Sequence, residues 1–121
     1  GPDPDKKLFN FWRIKIGESL TDRIENECEP EVCINAMNRM NNLIKKKIFP
    51  RASPILNAFE KALDHIEPEV RTSAVGLCYK IAPDRFRPIL SEMSEHESNK
   101  MVFDEICRVI PDDIIKPNHF F

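Results

Sequence analysis

Glu29-Pro30-Glu31-Val32 and Glu67-Pro68-Glu69-Val70 are one four-residue string met twice, 38 residues apart. Each copy reads as the opening of a helix. Proline has no N–H to lose in the first turn, and carboxylates suit the positive end of the helix dipole. Behind the first copy, Val32, Ala36, Met37, Met40, Leu43 and Ile44 recur at spacings of three and four, to about Lys46. Behind the second, Val70, Ala74, Leu77, Cys78 and Ile81 do the same. That is the period of an amphipathic helix. Each copy also follows another amphipathic stretch, so the repeat predicts units of two helices.

Outward from that string, the ten prolines divide the chain. A first stretch, Asp5 to Ile16, aligns Leu8, Phe9, Trp12 and Ile16. Gly17 is expected to interrupt it before Glu18 to Glu27 continues with Leu20 and Ile24. Ser53 reads as an N-cap with Pro54 at the first helical position, followed by Ile55, Leu56, Phe59, Leu63 and Ile66 facing inward. Pro83 opens a helix with Phe86, Ile89, Leu90 and Met93 on one side. Glu95 to Lys100 reads as a polar connector, and Met101 to Ile110 as a last helix with Val102, Phe103, Ile106 and Ile110, ended by Pro111. No stretch alternates with a period of two, so no sheet is expected. Paired helices of about 38 residues are the signature of HEAT and armadillo arrays. The expectation is an all-α, HEAT-like array of about six or seven helices. Residues 1–4 read as a tag scar and leader, 5–110 as a single helical domain, and 111–121 as an irregular tail.

Composition narrows the function. In 121 residues, 41% are hydrophobic, and 18 basic against 20 acidic side chains give a net charge of −2. A polyanion binder working through global charge is excluded; only a local patch can act. Three glycines are too few for phosphate-cradling loops. Cys28 and Cys33 are five apart, unlike a zinc knuckle, and His65, His96 and His119 fall on separate elements. No Gly-x-Ser-x-Gly or nucleophile–histidine pairing stands out. Catalytic residues, metal ligands and cofactors are therefore not expected, and the chain does not read as an enzyme. No apolar run approaches the ~20 residues of a membrane span, and scattered cysteines suit a reducing compartment. Nucleic acid is disfavoured too, because Asn38, Asn41 and Asn42 occur on one helix alone.

Two stretches remain as candidate binding sites. Leu8, Phe9, Phe11, Trp12, Ile14 and Ile16 are the densest aromatic and apolar run, with Phe11 and Ile14 off the main stripe. A helix apolar most of the way round is either buried on two sides or binds a partner. Lys45, Lys46, Lys47 and Arg51 form the dense basic cluster, at a helix end and the turn after it. It reads as a solvated, dipole-complementing end or as a contact for an acidic surface, with Arg85 and Arg87 as possible extensions of that edge.

The run MNNLIKKKIFPRASPILNAFEKALDHIEPEVRTSAVGLCYKIAPDRFRPIL, Met40 to Leu90, resembles the C-terminal helical domain of the katanin regulatory subunit. The resemblance lies in an Asn-containing helix end, a polar turn, and the helix Ser53-Pro54-Ile55-Leu56 through Leu63. It continues in Val70 to Leu77 with small residues between, and in Phe86 with Ile89-Leu90. Upstream, Trp12 and Ser19 to Asp22 match an early Trp and polar helix start. The Pro-rich boundaries and the last third depart from the pattern, as a divergent, meiotic-type member would. The resemblance implies a non-catalytic domain that binds the N-terminal three-helix domain of the katanin AAA ATPase. It further implies microtubule affinity through basic residues, and a cytoplasmic, cytoskeletal or spindle location. The alternative is a TOG-like or other HEAT-repeat module that binds tubulin or another protein without a severing ATPase.

Overall fold

The computed structural model describes residues 3–114. Six α-helices follow one another: α1 (Pro4–Asn26), α2 (Pro30–Lys45), α3 (Ser53–Ala62), α4 (Pro68–Ile81), α5 (Pro83–His96) and α6 (Lys100–Val109). A 3-10 turn, Pro111–Asp113, follows, and no strand occurs among the described residues. Proline stands in the first two positions of α1 to α5, as the sequence leads one to expect for α2 to α5. Pro88 is the exception. It lies inside α5 on an exposed face, where it leaves the Asp84 carbonyl without an intrahelical donor.

The helices pack as three pairs: α1 on α2, α3 on α4, and α5 on α6. Across pairs, α4 packs on α2, α5 and α6, while α1 packs on α3. So α4 is the central element, and it contributes Val70, Ala74, Val75, Cys78 and Ile81 to the core. Phe59 from α3, Met37 and Met40 from α2, Phe86 and Leu90 from α5, and Val102 and Ile106 from α6 are fully buried around it. Burying such side chains is worth roughly 1.5–3 kcal/mol each, the main force holding the pairs together.

One local device recurs where the second helix of each pair begins. The side chain two residues before the N-cap accepts the N-cap's own backbone N–H. Glu27 does so for Glu29 (3.0 Å), His65 for Glu67 (3.0 Å) and Glu97 for Asn99 (2.9 Å). Each bond occupies a donor at a helix entrance and fixes the approach of the chain.

Several expectations are corrected. Gly17 does not interrupt α1, which is one helix of 23 residues. Its role is space: a Cβ there would meet Phe49 Cε1 at 2.9 Å, so glycine lets the Phe49 ring lie against the helix. Ser53 is not the N-cap of α3. Ala52 holds that position with no side-chain cap bond, and Ser53 is already helical. Ile66 does not face inward; α3 ends at Ala62 and Ile66, in the turn beyond, is 82% exposed. Val32 lies at the rim rather than in the core. The connector shrinks to residues 97–99, because α5 runs to His96 and Asn99 caps α6 through bonds to the Met101 and Val102 N–H groups. Helix α1 begins at Pro4, inside the expected leader. Gly1, Pro2 and the tail from residue 115 lie outside the described residues.

Candidate functional site

The first surface follows from where α1 stops being covered. Leu20 and Ile24 anchor its C-terminal half in the core, and Ile16 packs at the rim. From Asp3 to Trp12 every residue is exposed. At 1.5 Å per residue, the segment Pro4–Trp12 projects about 13 Å past the last covered turn. Leu8, Phe9, Phe11, Trp12 and Ile14 are each more than half exposed, at 53 to 57%. Phe11 and Trp12 meet edge to face, with centroids 6.5 Å apart and planes at 77°. Lys15 Nζ lies 5.7 Å from the Phe11 ring centroid. Of the residues expected to act together here, Leu8, Phe9, Phe11 and Trp12 share the projecting segment, while Ile16 belongs to the rim of the core. Central packing of Phe9 and Trp12 does not occur. Their stripe continues toward Leu20, but the helix outruns the elements that would cover it.

The second surface is the α2–α3 turn. The chain leaves α2 through paired bonds, Ile48 N–H to Leu43 O (2.9 Å) and Lys47 N–H to Ile44 O (2.9 Å). This is the Schellman pattern, and its left-handed position is taken by Lys47, with φ 62°. Glycine is the unstrained choice there. A lysine in that position points its charge out of the turn at some backbone cost. Lys45, Lys47 and Arg51 line one shallow depression with Arg13 of α1, floored by Ile44, Ile48, Phe49 and Pro50. Arg13 also donates from Nη1 to the Ile48 carbonyl at 3.4 Å, tying α1 to the turn. Lys46 is exposed but does not line that depression. Arg13 was not legible as part of the cluster, since it lies over thirty residues upstream. Arg85 and Arg87 do not extend the edge freely. Arg85 Nη2 binds Asn57 (2.7 Å) and Glu60 (3.0 Å), and Arg87 reaches Tyr79 (2.6 Å) and Asp113 (3.3 Å).

A third arrangement was missed by sequence reasoning. Arg71 donates from Nε and Nη2 to both oxygens of Glu97, each at 3.0 Å, and from Nη1 to the His65 carbonyl at 2.8 Å. Both ion-pair side chains are largely buried, at 16% and 5% exposure. Burial by itself lifts the Glu97 carboxyl. The Arg71 bonds, with the backbone N–H groups of Asn99 and Ser98, outweigh it and hold the group below its ordinary value. His65 Nδ1 accepts from Glu67, so its proton sits on Nε2 and is given to the Glu27 carbonyl at 2.9 Å. The three pair junctions are thus laced along one edge. The spacing of 38 held one clue: Arg71 stands where Cys33 stands in the first unit, so a charge enters at a core position of the repeat.

Comparison with family models, curated proteins and solved structures finds no match. Among the described residues, no group of three or more His, Cys, Asp or Glu side chains is placed to hold a metal ion. No helix among them is long and apolar enough to cross a membrane. Cys33 and Cys78 are buried and donate to the Ile24 and Phe59 carbonyls, both at 3.6 Å. Burial, and then a neighbouring carboxylate, raises both thiols above their ordinary value, Cys78 strongly.

Proposed function

We propose that this chain is a HEAT-like, non-catalytic adaptor domain of the katanin regulatory type. It binds the N-terminal three-helix domain of a katanin-type microtubule-severing AAA ATPase and adds microtubule affinity at the spindle. The observation that supports this best is the projecting half of α1, with Leu8, Phe9 and Trp12 on one stripe in water. A helical partner domain offers a groove for such anchors at spacings of three and four. Stacked pairs in which α2, α4 and α6 form one layer suit the HEAT-like reading. The Lys45, Lys47, Arg51 and Arg13 depression, with Lys46 beside it, suits an acidic protein surface such as that of tubulin.

The test is direct mixing with the ATPase N-terminal domain. A one-to-one complex in size-exclusion chromatography with light scattering, lost in a Phe9→Ala/Trp12→Ala double variant that stays folded, supports the reading. A folded chain that binds tubulin without the ATPase domain supports the TOG-like alternative. Reversal of Lys45, Lys46 and Lys47 to Glu is expected to weaken co-sedimentation of the preformed complex with microtubules at low salt, and to leave the complex itself intact.

A further inference from the structure

Phe11 and Ile14 are left over by that reading. They lie off the Leu8, Phe9 and Trp12 stripe, yet both are more than half exposed. They belong to a second stripe along α1: Lys7, Phe11, Ile14, Glu18, Asp22 and Glu25, at steps of three and four. Its N-terminal part is basic and aromatic, and its C-terminal part is acidic. The acidic part forms most of one wall of a groove of about 500 Å³ between α1 and α3, with Arg13 and Ile14 at its N-terminal end. The opposite wall is apolar, with Pro50, Ala52, Pro54 and Ile55. The carboxylates of that wall are short of cations, although Asp22 accepts from Asn26 Nδ2 at 2.7 Å. Glu18 meets only Lys15, at 4.0 Å with both side chains well exposed. Among the described residues, neither Asp22 nor Glu25 has an ion-pair partner, and neither does Lys7.

The occupant that fits this groove is a helix with a lysine and an aromatic residue at the spacing of Lys7 and Phe11. The chain carries one. We infer that α1 pairs antiparallel with α1 of a second copy, the basic aromatic half of each helix lying in the acidic α1–α3 groove of the other. A two-fold axis opposite residue 16 sets Lys7 against Glu25 of the second copy and Ile14 against its Glu18. It also brings the two Ile14 side chains to either side of the axis. Phe11 then drops toward Pro54 and Ile55. The arrangement is isologous, so the Lys7–Glu25 ion pair is made twice. It leaves Leu8, Phe9 and Trp12 on another face, requires no ATPase, and stands or falls independently of the proposed function.

Sedimentation equilibrium of this 121-residue chain over a concentration series, at low and high salt, tests the pairing. A dimer that weakens as salt rises is expected. Lys7→Glu, at an exposed position, and Glu25→Lys, at a half-buried position without an ion-pair partner, should each keep the circular dichroism of the parent and raise the dimer dissociation constant by about tenfold or more, since each charge clash occurs twice. An equimolar mixture of the two variants should recover a heterodimer close to wild-type affinity. A wild-type chain that stays monomeric throughout the series overturns the inference. So does a dimer that both variants retain, or a mixture that shows no recovery.

Discussion

The edge that carries Glu27, His65, Arg71 and Glu97 and the projecting half of α1 answer the same physical demand in opposite ways. Along the edge, polar groups that enter the protein find every partner inside it. The guanidinium of Arg71 is divided between Glu97 and the His65 and Ile66 carbonyls, and no buried side-chain N or O atom among the described residues lacks a hydrogen bond. On α1, apolar groups that leave the core meet only one another and Lys15, and stay more than half exposed. An internally closed network specifies one fold; an open apolar helix specifies an encounter. The difference teaches where to look for function, since the buried polar groups of the edge are satisfied inside the protein and the open helix has five large side chains in water.

The sharpest way to break the comparison is at the closed edge. Arg71→Ala leaves Glu97 buried without its cation, and is expected to cost about 3–5 kcal/mol in urea unfolding. Acid should act on the same bond. The Glu97 carboxyl is held low when folded, so its contribution is present above the ordinary carboxylate value and is lost as pH falls through the lower, folded one. In Arg71→Ala that acid loss should shrink, which a pH series of urea midpoints on both proteins will read. A folded Arg71→Ala protein as stable as the parent would remove the contrast.

Gly17 tests the boundary between the two regions. Gly17→Val places methyl groups where the Phe49 ring lies and is expected to cost about 1–3 kcal/mol, measured by thermal melting. If it costs nothing, α1 is not clamped to the α2–α3 turn. Lys47→Gly should have the opposite sign. Relief of the left-handed lysine is expected to stabilise by about 1 kcal/mol, while microtubule co-sedimentation of the complex falls. A destabilised glycine variant would deny that the lysine is held at a backbone cost.

These sites also mark how far the sequence could be read. Helices α2 to α5 follow from the proline positions and the apolar period, and α6 from the period alone, because both signals are local; α1 follows only as two pieces. The projecting helix was half legible: residues 8–16 read as apolar most of the way round, but whether a neighbour covers them depends on where α2 and α3 end. Gly17 reads as a break because glycine is a poor helix former; only the Phe49 ring, thirty-two residues on, explains it. Arg71 and Glu97 are twenty-six residues apart on different elements, and nothing local pairs them. The basic cluster was legible in its lysines and Arg51 but not in Arg13, which joins through tertiary contact alone.

The smallest expected effect is also the most informative. Trp12→Ala should change the stability of the isolated chain by no more than about 0.5 kcal/mol, because the ring is already in water. Trp12 is also the single tryptophan of the chain, so its fluorescence reports on this one position. The most direct measurement is therefore the emission maximum and iodide quenching of Trp12, before and after adding the ATPase N-terminal domain. The account predicts red-shifted, readily quenched emission from the isolated chain, and a saturable blue shift with protection from iodide at one equivalent of partner. Blue, protected emission from the chain alone, or emission that the partner domain does not change, would contradict it.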